Sequence, residues 1–446
     1  MYERPATIRK QFQRSLVMLL IVIPMSCRQA SQGDVTIVCS ADTQGWITPC
    51  GCTANQSGGL ARRATLLKRF PSKSKVLLLD AGGSAIGRSD YQTLRLRFLL
   101  KGLHAMGLDA HNLGQSELHF SDAELESLGK ELQIRWLSTN LHSVDGEFSG
   151  HRIVHWEGNG LKVDVVGVID PKLVSSQHWK ATDPIKAIAE AFRNSKADVK
   201  VVLAYFQDEP LRNLAAKLPE VDYVIGGPTG QTIAPSKQGS VTVMSTTNKG
   251  KFLCSIELAK NGKRWRERSS EIVEVVSTLS EDPTQLQNLK DYYDTLATHD
   301  FAAKETGIVD VSSLGQDSHL YAGSDRCQSC HASDFAIWKG SNHCHAWNPL
   351  TTKRVEFDPI CQQCHSTGYA QQNGFDRVAN SSSMVHVGCE TCHGPSSEHV
   401  SNPKSRTPYQ AKDACRRCHD SENSPRFQWD TYWPKIHHDG KPQLPK

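Results

Sequence analysis

Four copies of a Cys-x-x-Cys-His motif crowd the last third of the chain: Cys327–His331, Cys361–His365, Cys389–His393 and Cys415–His419. Each is the attachment signature of a c-type haem, in which two thiols bond to one porphyrin and the adjacent histidine reaches its iron. A single Cys-x-x-Cys would suit a zinc or thiol-redox site equally, and paired zinc sites built from the same residues are the competing reading. Histidine in the fifth place four times over favours haem. The motifs start 34, 28 and 26 residues apart. So little chain cannot bury four porphyrins behind an ordinary core, so the haems themselves must serve as core. Short helices and irregular chain are expected around them. The cofactor expectation is four covalently bound haem c, attached through Cys327, Cys330, Cys361, Cys364, Cys389, Cys392, Cys415 and Cys418.

Iron also needs axial ligands. Ten of the 19 histidines follow residue 320. His331, His365, His393 and His419 are the proximal ligands by motif position. His343, His345, His386, His399, His437 and His438 remain for the distal side, the last two close enough to the terminus to be expected in solvent. Met384 is the sole methionine in this region. Methionine ligation, which raises haem potential, can therefore serve one haem at most, and mostly bis-histidine haems are expected.

The opening residues read as an export signal. Arg4, Arg9, Lys10 and Arg14 precede a short apolar run, Leu16–Ile23, that is too short to span a bilayer comfortably. Met25-Ser26-Cys27 resembles a bacterial lipobox with Cys27 as the lipidated residue, although Pro24 stands where leucine is usual. A cleaved soluble signal and an uncleaved anchor are the alternatives. All three place the remainder outside the cytoplasm, periplasmic or on the outer face of a bacterial membrane. The formal net charge of +4 over 446 residues, without a run of like charge, gives nucleic-acid binding no support.

The expected organisation is a signal and lipobox region (1–33), a layered α/β domain (34–275), a connecting helix and linker (276–320) and the haem domain (321–446). Short β-branched or apolar runs at 34–40, 75–80, 163–169, 199–205, 223–225 and 241–245 read as buried strands alternating with helices. The order of segments resembles the metallophosphatase domain of the 5′-nucleotidase family over roughly residues 34 to 260. The landmarks are Ala41-Asp42-Thr43-Gln44-Gly45, Gly58-Gly59-Leu60-Ala61-Arg62, Leu79-Asp80-Ala81-Gly82-Gly83, Leu113-Gly114-Gln115-Ser116-Glu117 and Val221 to Gly230. The resemblance implies a two-metal site at the strand ends. Here its ligands are mostly replaced. Asp42 survives, but Gln44 replaces a histidine and Gly83 the bridging aspartate. Gln115 and Ser116 replace an Asn-His pair, Pro228 and Gly230 replace the last two histidines, and Tyr205-Phe206 falls near the mid-chain histidine. One aspartate cannot hold two metal ions about 3.5–4 Å apart, so the fold is expected without phosphoesterase chemistry.

Cys50-Gly51-Cys52 comes after the first strand. It reads as a thiol redox pair or soft-metal site, and is the candidate catalytic pair, or else as part of a structural disulfide with, for example, Cys39 or Cys254. Beyond Asp282-Pro283, apolar residues recur at helical spacing to Leu296. Residues 303–320 read as linker.

The haem segment resembles the cytochrome c-554 family over about 100 residues, from Cys327 onward. The match rests on Phe335, Trp338, Ser341, His343 and Ala346, on Ser366-Thr367-Gly368-Tyr369, and on Val387 to Pro395 with His399 beyond them. It implies His343 and His399 as distal ligands, with His345 and His386 as further candidates. In that family one haem can be five-coordinate, and the second motif is the candidate by position, although the histidines here are enough to close all four sites. Three functions are open to such a chain. One is electron transfer between redox donor and acceptor proteins or a quinol-linked membrane complex. The second is a redox enzyme at an open haem or at Cys50/Cys52. The third is a phosphoesterase with a cytochrome attached, disfavoured by the missing ligands.

Overall fold

The computed structural model describes residues 33–50, 56–70, 74–247, 249–262, 264–309, 320–407 and 411–438. Cys27 and Cys52 lie outside them, and of Cys50 only the backbone is described.

The uninterrupted apolar runs become strands covered on both faces. Val35–Ser40 is buried at every position. It lies parallel to Lys75–Asp80 and antiparallel to Phe252–Asn261. Arg264–Glu274, Leu108–Asn112 and Trp136–Leu137 complete a six-stranded mixed sheet. A second six-stranded sheet runs in the order Ile233–Gln238, Val241–Ser245, Tyr223–Gly227, Val199–Tyr205, Leu161–Ile169, Val154–Gly158. Alternation along each strand decides what faces what. Ile37, Cys39, Leu77 and Leu79 meet Val163, Val165, Val201, Leu203 and Ile225 between the sheets. Val38 and Leu78 point the other way, beneath Leu66 and Leu67 of the Leu60–Lys68 helix. Val166, Val202 and Val224 lie under the helices Pro184–Phe192 and Asp208–Ala215. The result is a four-layer α/β/β/α domain.

The Asp90–Ala105 helix starts at a capping box, Ser89 with Gln92. Its face of Tyr91, Leu96, Leu99 and Leu103 packs against Tyr292 and Leu296 of the connecting helix, Pro283–His299. That helix is capped by Asp282, which accepts the N–H groups of Thr284 and Gln285. Of the linker expected over 303–320, residues 303–309 are packed rather than free. Ala303 and Thr306 are buried. Asp300 accepts the N–H groups of Val378 and Ala379, and Thr306 bonds Tyr369. These residues weld the connecting helix to the C-terminal segment.

From residue 320 the architecture changes. Helices shrink to between four and eight residues: Ala332–Lys339, Asn348–Lys353, Pro359–His365, Cys389–His393, Ser397–Ser401, Ala411–Arg416 and Trp429–Tyr432. One small apolar cluster holds them, with Trp347, Leu350, Tyr369, Phe375 and Met384. Met384 is thus a core side chain. Among the described residues no helix is long and apolar enough to cross a membrane.

The two-helix layer is expected to carry much of the domain's stability. Leu99→Ala, at a fully buried site, should cost about 2–5 kcal/mol, read as a lowered urea midpoint with an unchanged m-value.

Candidate haem sites

Three of the four motif histidines face a second imidazole. His331 and His399 have ring centroids 6.1 Å apart, His419 and His343 6.2 Å, and His393 and His438 5.7 Å. A metal ion held between two imidazole nitrogens at bonds of about 2 Å each separates the ring centroids by roughly 6 Å. The other ring nitrogen is engaged in most of these residues. Nδ1 of His399 bonds the Ser405 carbonyl at 2.8 Å, that of His438 the Ile436 carbonyl at 3.0 Å, and that of His419 the Ser424 hydroxyl at 3.0 Å. His331 Nδ1 lies 3.5 Å from the Asp334 carboxylate. Where Nδ1 donates in these contacts, the proton is held there and Nε2 is the nitrogen left with a lone pair, the tautomer that metal-bound histidines commonly take. Burial also pushes the imidazoles of His343, His393 and His419 below their ordinary pKa, with the facing histidine adding to this for the first two. The neutral form, which is the ligating form, is thereby favoured.

His365 differs. Its Nδ1 bonds the Ala346 carbonyl, and among the described residues no imidazole ring stands opposite it. His345 is exposed. His386, in a left-handed conformation with φ 73°, accepts the Trp347 N–H on Nδ1 at 3.1 Å. The structure therefore brings His343 and His399 each to a motif histidine, and does so for neither His345 nor His386. His343, twelve residues past the first motif histidine, faces the fourth. His438, expected in solvent, faces the third; its only sequence signal was being one of the spare histidines.

The thiols are brought together across motifs. Cys327 lies beside Cys389, and the Cys418 thiol is 4.0 Å from the Cys364 carbonyl; the neighbouring thiol and burial push the Cys327 and Cys364 thiols up. Cys392 lies within electrostatic reach of Cys415 and Cys418. None of the eight motif cysteines is in a disulfide, and all are half-buried. Beside His419 a cavity of ≈ 510 Å³ opens, walled in part by Phe427, Trp429, Pro425 and Arg416. Thiols outside any disulfide, imidazoles facing in pairs at about 6 Å and a sparse apolar core fit haem c.

The strand ends at which the resemblance implies a two-metal site are occupied by other groups. Asp42 accepts Gln44 Nε2 at 3.1 Å and the Thr247 hydroxyl at 2.7 Å. The Tyr205 ring lies where a Cβ on Gly83 or Gly114 would come within 2.8 or 2.7 Å of it. An aspartate at position 83 would collide with that ring. Burial first, then Asp42 and Glu117, raise the Tyr205 phenol, so it stays protonated. Glu117 is fully buried. Its carboxylate accepts the N–H groups of Gly83, Ser84, Ala85 and Gly114 at 2.7–2.9 Å. Among the described residues no three His, Cys, Asp or Glu side chains converge on a metal position.

The backbone of Pro49–Cys50 pairs with Ser57–Gly58 as a two-residue ladder; the Cys50 side chain and Cys52 lie outside the described residues. Cys39 and Cys254, the candidate disulfide partners for them, face each other across the central ladder, both sealed in the core.

Comparison with known proteins divides the chain in the same way. The family "Cytochrome c554 and c-prime" matches residues 326–394. Cytochrome c-554 of Nitrosomonas europaea is 29% identical over 90 residues, 17% of this chain and 38% of that protein. The C-terminal part of the chain resembles cytochrome c-554. Upstream, a snake venom 5′-nucleotidase from Gloydius brevicauda is 28% identical over 197 residues, 40% of this chain and 33% of that protein. The chain thus spans well under half the length of either curated relative. The 5′-nucleotidase precursor of Thermus thermophilus superposes with a TM-score of 0.52 at 17% identity, over 72% of this chain and 68% of that one, which is a likeness of fold. The protein therefore joins a metallophosphatase-like α/β domain to a c-554-like segment, and that resemblance implies covalently bound haem c.

Glu117→Ala would leave four buried N–H donors without an acceptor. A loss of at least about 3 kcal/mol is expected in chemical denaturation.

Proposed function

We propose that this chain is an extracytoplasmic tetrahaem c-type cytochrome that transfers electrons between partner proteins, its metallophosphatase-like domain lacking phosphoesterase activity. The observation that carries the proposal is the facing of motif and non-motif imidazoles at about 6 Å in three places. Bound haem c supplies a one-electron iron couple. An iron closed by two imidazoles has no position for substrate, which suits relay rather than catalysis. The residues assigned are His331 with His399, His393 with His438, and His419 with His343. The nearness of the first motif to the third, of the third to the fourth and of the fourth to the second supports a haem order of first, third, fourth, second. Donor and acceptor would be redox proteins or a quinol-linked membrane complex, with Cys27 as a lipid anchor where the signal is processed as a lipoprotein.

A second reading is favoured by His365, whose ring meets no opposing imidazole among the described residues. The second motif would then leave one axial position for a small ligand, and the protein would act as a redox enzyme there. Phosphoesterase activity has the weakest support, because Tyr205 packs against Gly83 in the space a bridging aspartate needs.

Haem analysis of the purified protein should give four haems per chain, and carbon monoxide should bind one of them. Fewer haems would refute the tetrahaem assignment; carbon monoxide binding to none would refute the open site. His438→Ala should raise the number that bind carbon monoxide from one to two. Turnover of a phosphate ester with added divalent metal should stay at the uncatalysed rate.

A further inference from the structure

The seven-residue helix Pro359–His365 carries Cys361, Cys364 and His365, the attachment thiols and the proximal histidine of the second haem. Its N-terminus is built into the upstream domain. Asp358 caps it, accepting the Ile360 N–H on Oδ1 at 3.1 Å. The same oxygen accepts the Tyr91 hydroxyl at 2.8 Å, and Oδ2 accepts the Tyr292 hydroxyl at 3.5 Å. Tyr91 in turn accepts from Arg95 Nη1 at 2.8 Å. Arg95 Nε and Nη2 both donate to the Gly45 carbonyl, at 3.1 and 2.9 Å. Tyr91, Arg95 and Asp358 are all buried. Around this chain of bonds Phe357 and Ile360 pack on the two-helix cluster, and Tyr293 lies beside Cys361.

A continuous hydrogen-bonded path therefore runs from the strand-end loop of the degenerate metal site to the helix that attaches the second haem. Its members are a guanidinium, a phenol and a carboxylate, shielded from water, where charge-assisted bonds are strong and geometrically demanding. The segment beyond residue 320 has little core of its own to hold that helix.

We propose that Asp358, Tyr91 and Arg95 are positioning residues through which the metallophosphatase-like domain fixes the second attachment helix and sets the potential of its haem. The upstream domain then acts as a scaffold for that one redox centre. The proposal rests on the second motif binding haem c, the reading given under Proposed function, and does not require its iron to be open.

The test uses the full-length holoprotein. Tyr91→Phe removes the bridging hydroxyl and little else. Asp358→Asn removes the charge while keeping a residue type that caps helices well. Both variants should retain the wild-type haem content. In a spectroscopically resolved redox titration one midpoint potential should shift, upward in Asp358→Asn, because loss of a nearby negative charge disfavours the ferric state. The paramagnetic resonance signal of that same haem should change while the other three keep theirs. Unchanged potentials and signals in both variants overturn the proposal, as do equal shifts of all haems, which would mean general loosening. Should Asp358→Asn not fold, Tyr91→Phe alone decides. A wild-type protein with no haem on Cys361 and Cys364 overturns this proposal together with the reading beneath it; four haems with an unmoved second potential overturn this one alone.

Discussion

The segment after residue 320 cannot close on itself, and the arrangement of the molecule is a consequence of that. Its helices are too short to be stable alone, since isolated helices below about 12–15 residues are marginal in water. Its one apolar cluster is small and borrows Ala303 from the connecting segment. A chain so poor in core needs ligation or a neighbour to order it. The motif thiols, none of them in a disulfide, and the facing imidazoles are placed where ligation could supply the first. The second comes from contacts on the upstream domain, through the buried Asp358–Tyr91–Arg95 path and through the ion pair of Lys249 with Glu422, just beyond the fourth motif.

In the upstream domain, buried carboxylates hold the loops at the strand ends. Glu117 gathers the loops after the second and third strands of its sheet through backbone N–H groups. Asp80 is buried beneath them, held by Ser40 and the Gly82 N–H; burial foremost raises its carboxyl. These bonds maintain loop shape and need no metal. At the rim, Tyr205 packs on Gly83 and Gly114, and Asp42 bonds to Thr247 and Gln44. The replacements are mutually consistent: the glycines leave the space that the ring takes. A fold preserved in this way says little about activity, and the residue set at the site carries the functional reading.

Much of this was legible in the chain. The buried strands sit within a few residues of their apolar runs, because a strand covered on both faces needs an unbroken apolar stretch. Asp282-Pro283 marked the start of the connecting helix through local capping chemistry. The linker reading of 303–309 was incomplete for a physical reason: small and polar residues such as Ala303 and Thr306 look like linker until their partners, Asp376 and Tyr369, are known.

The expectation of covalent haem attachment came from the sequence by itself, because Cys-x-x-Cys-His is a local arrangement and its fourfold repetition is visible in the chain. The sequence also determined the loss of the phosphatase ligands, which is a matter of residue type at matched positions. Only the tertiary structure decided which histidines face each other. His343 lies next to the first motif in the chain but opposite the fourth, and His438 near the terminus comes to the third. Such pairings join residues far apart in sequence, and neither spacing nor periodicity encodes them. The same holds for Asp358, an ordinary helix cap in sequence terms, whose contact with Tyr91 exists because two domains pack there.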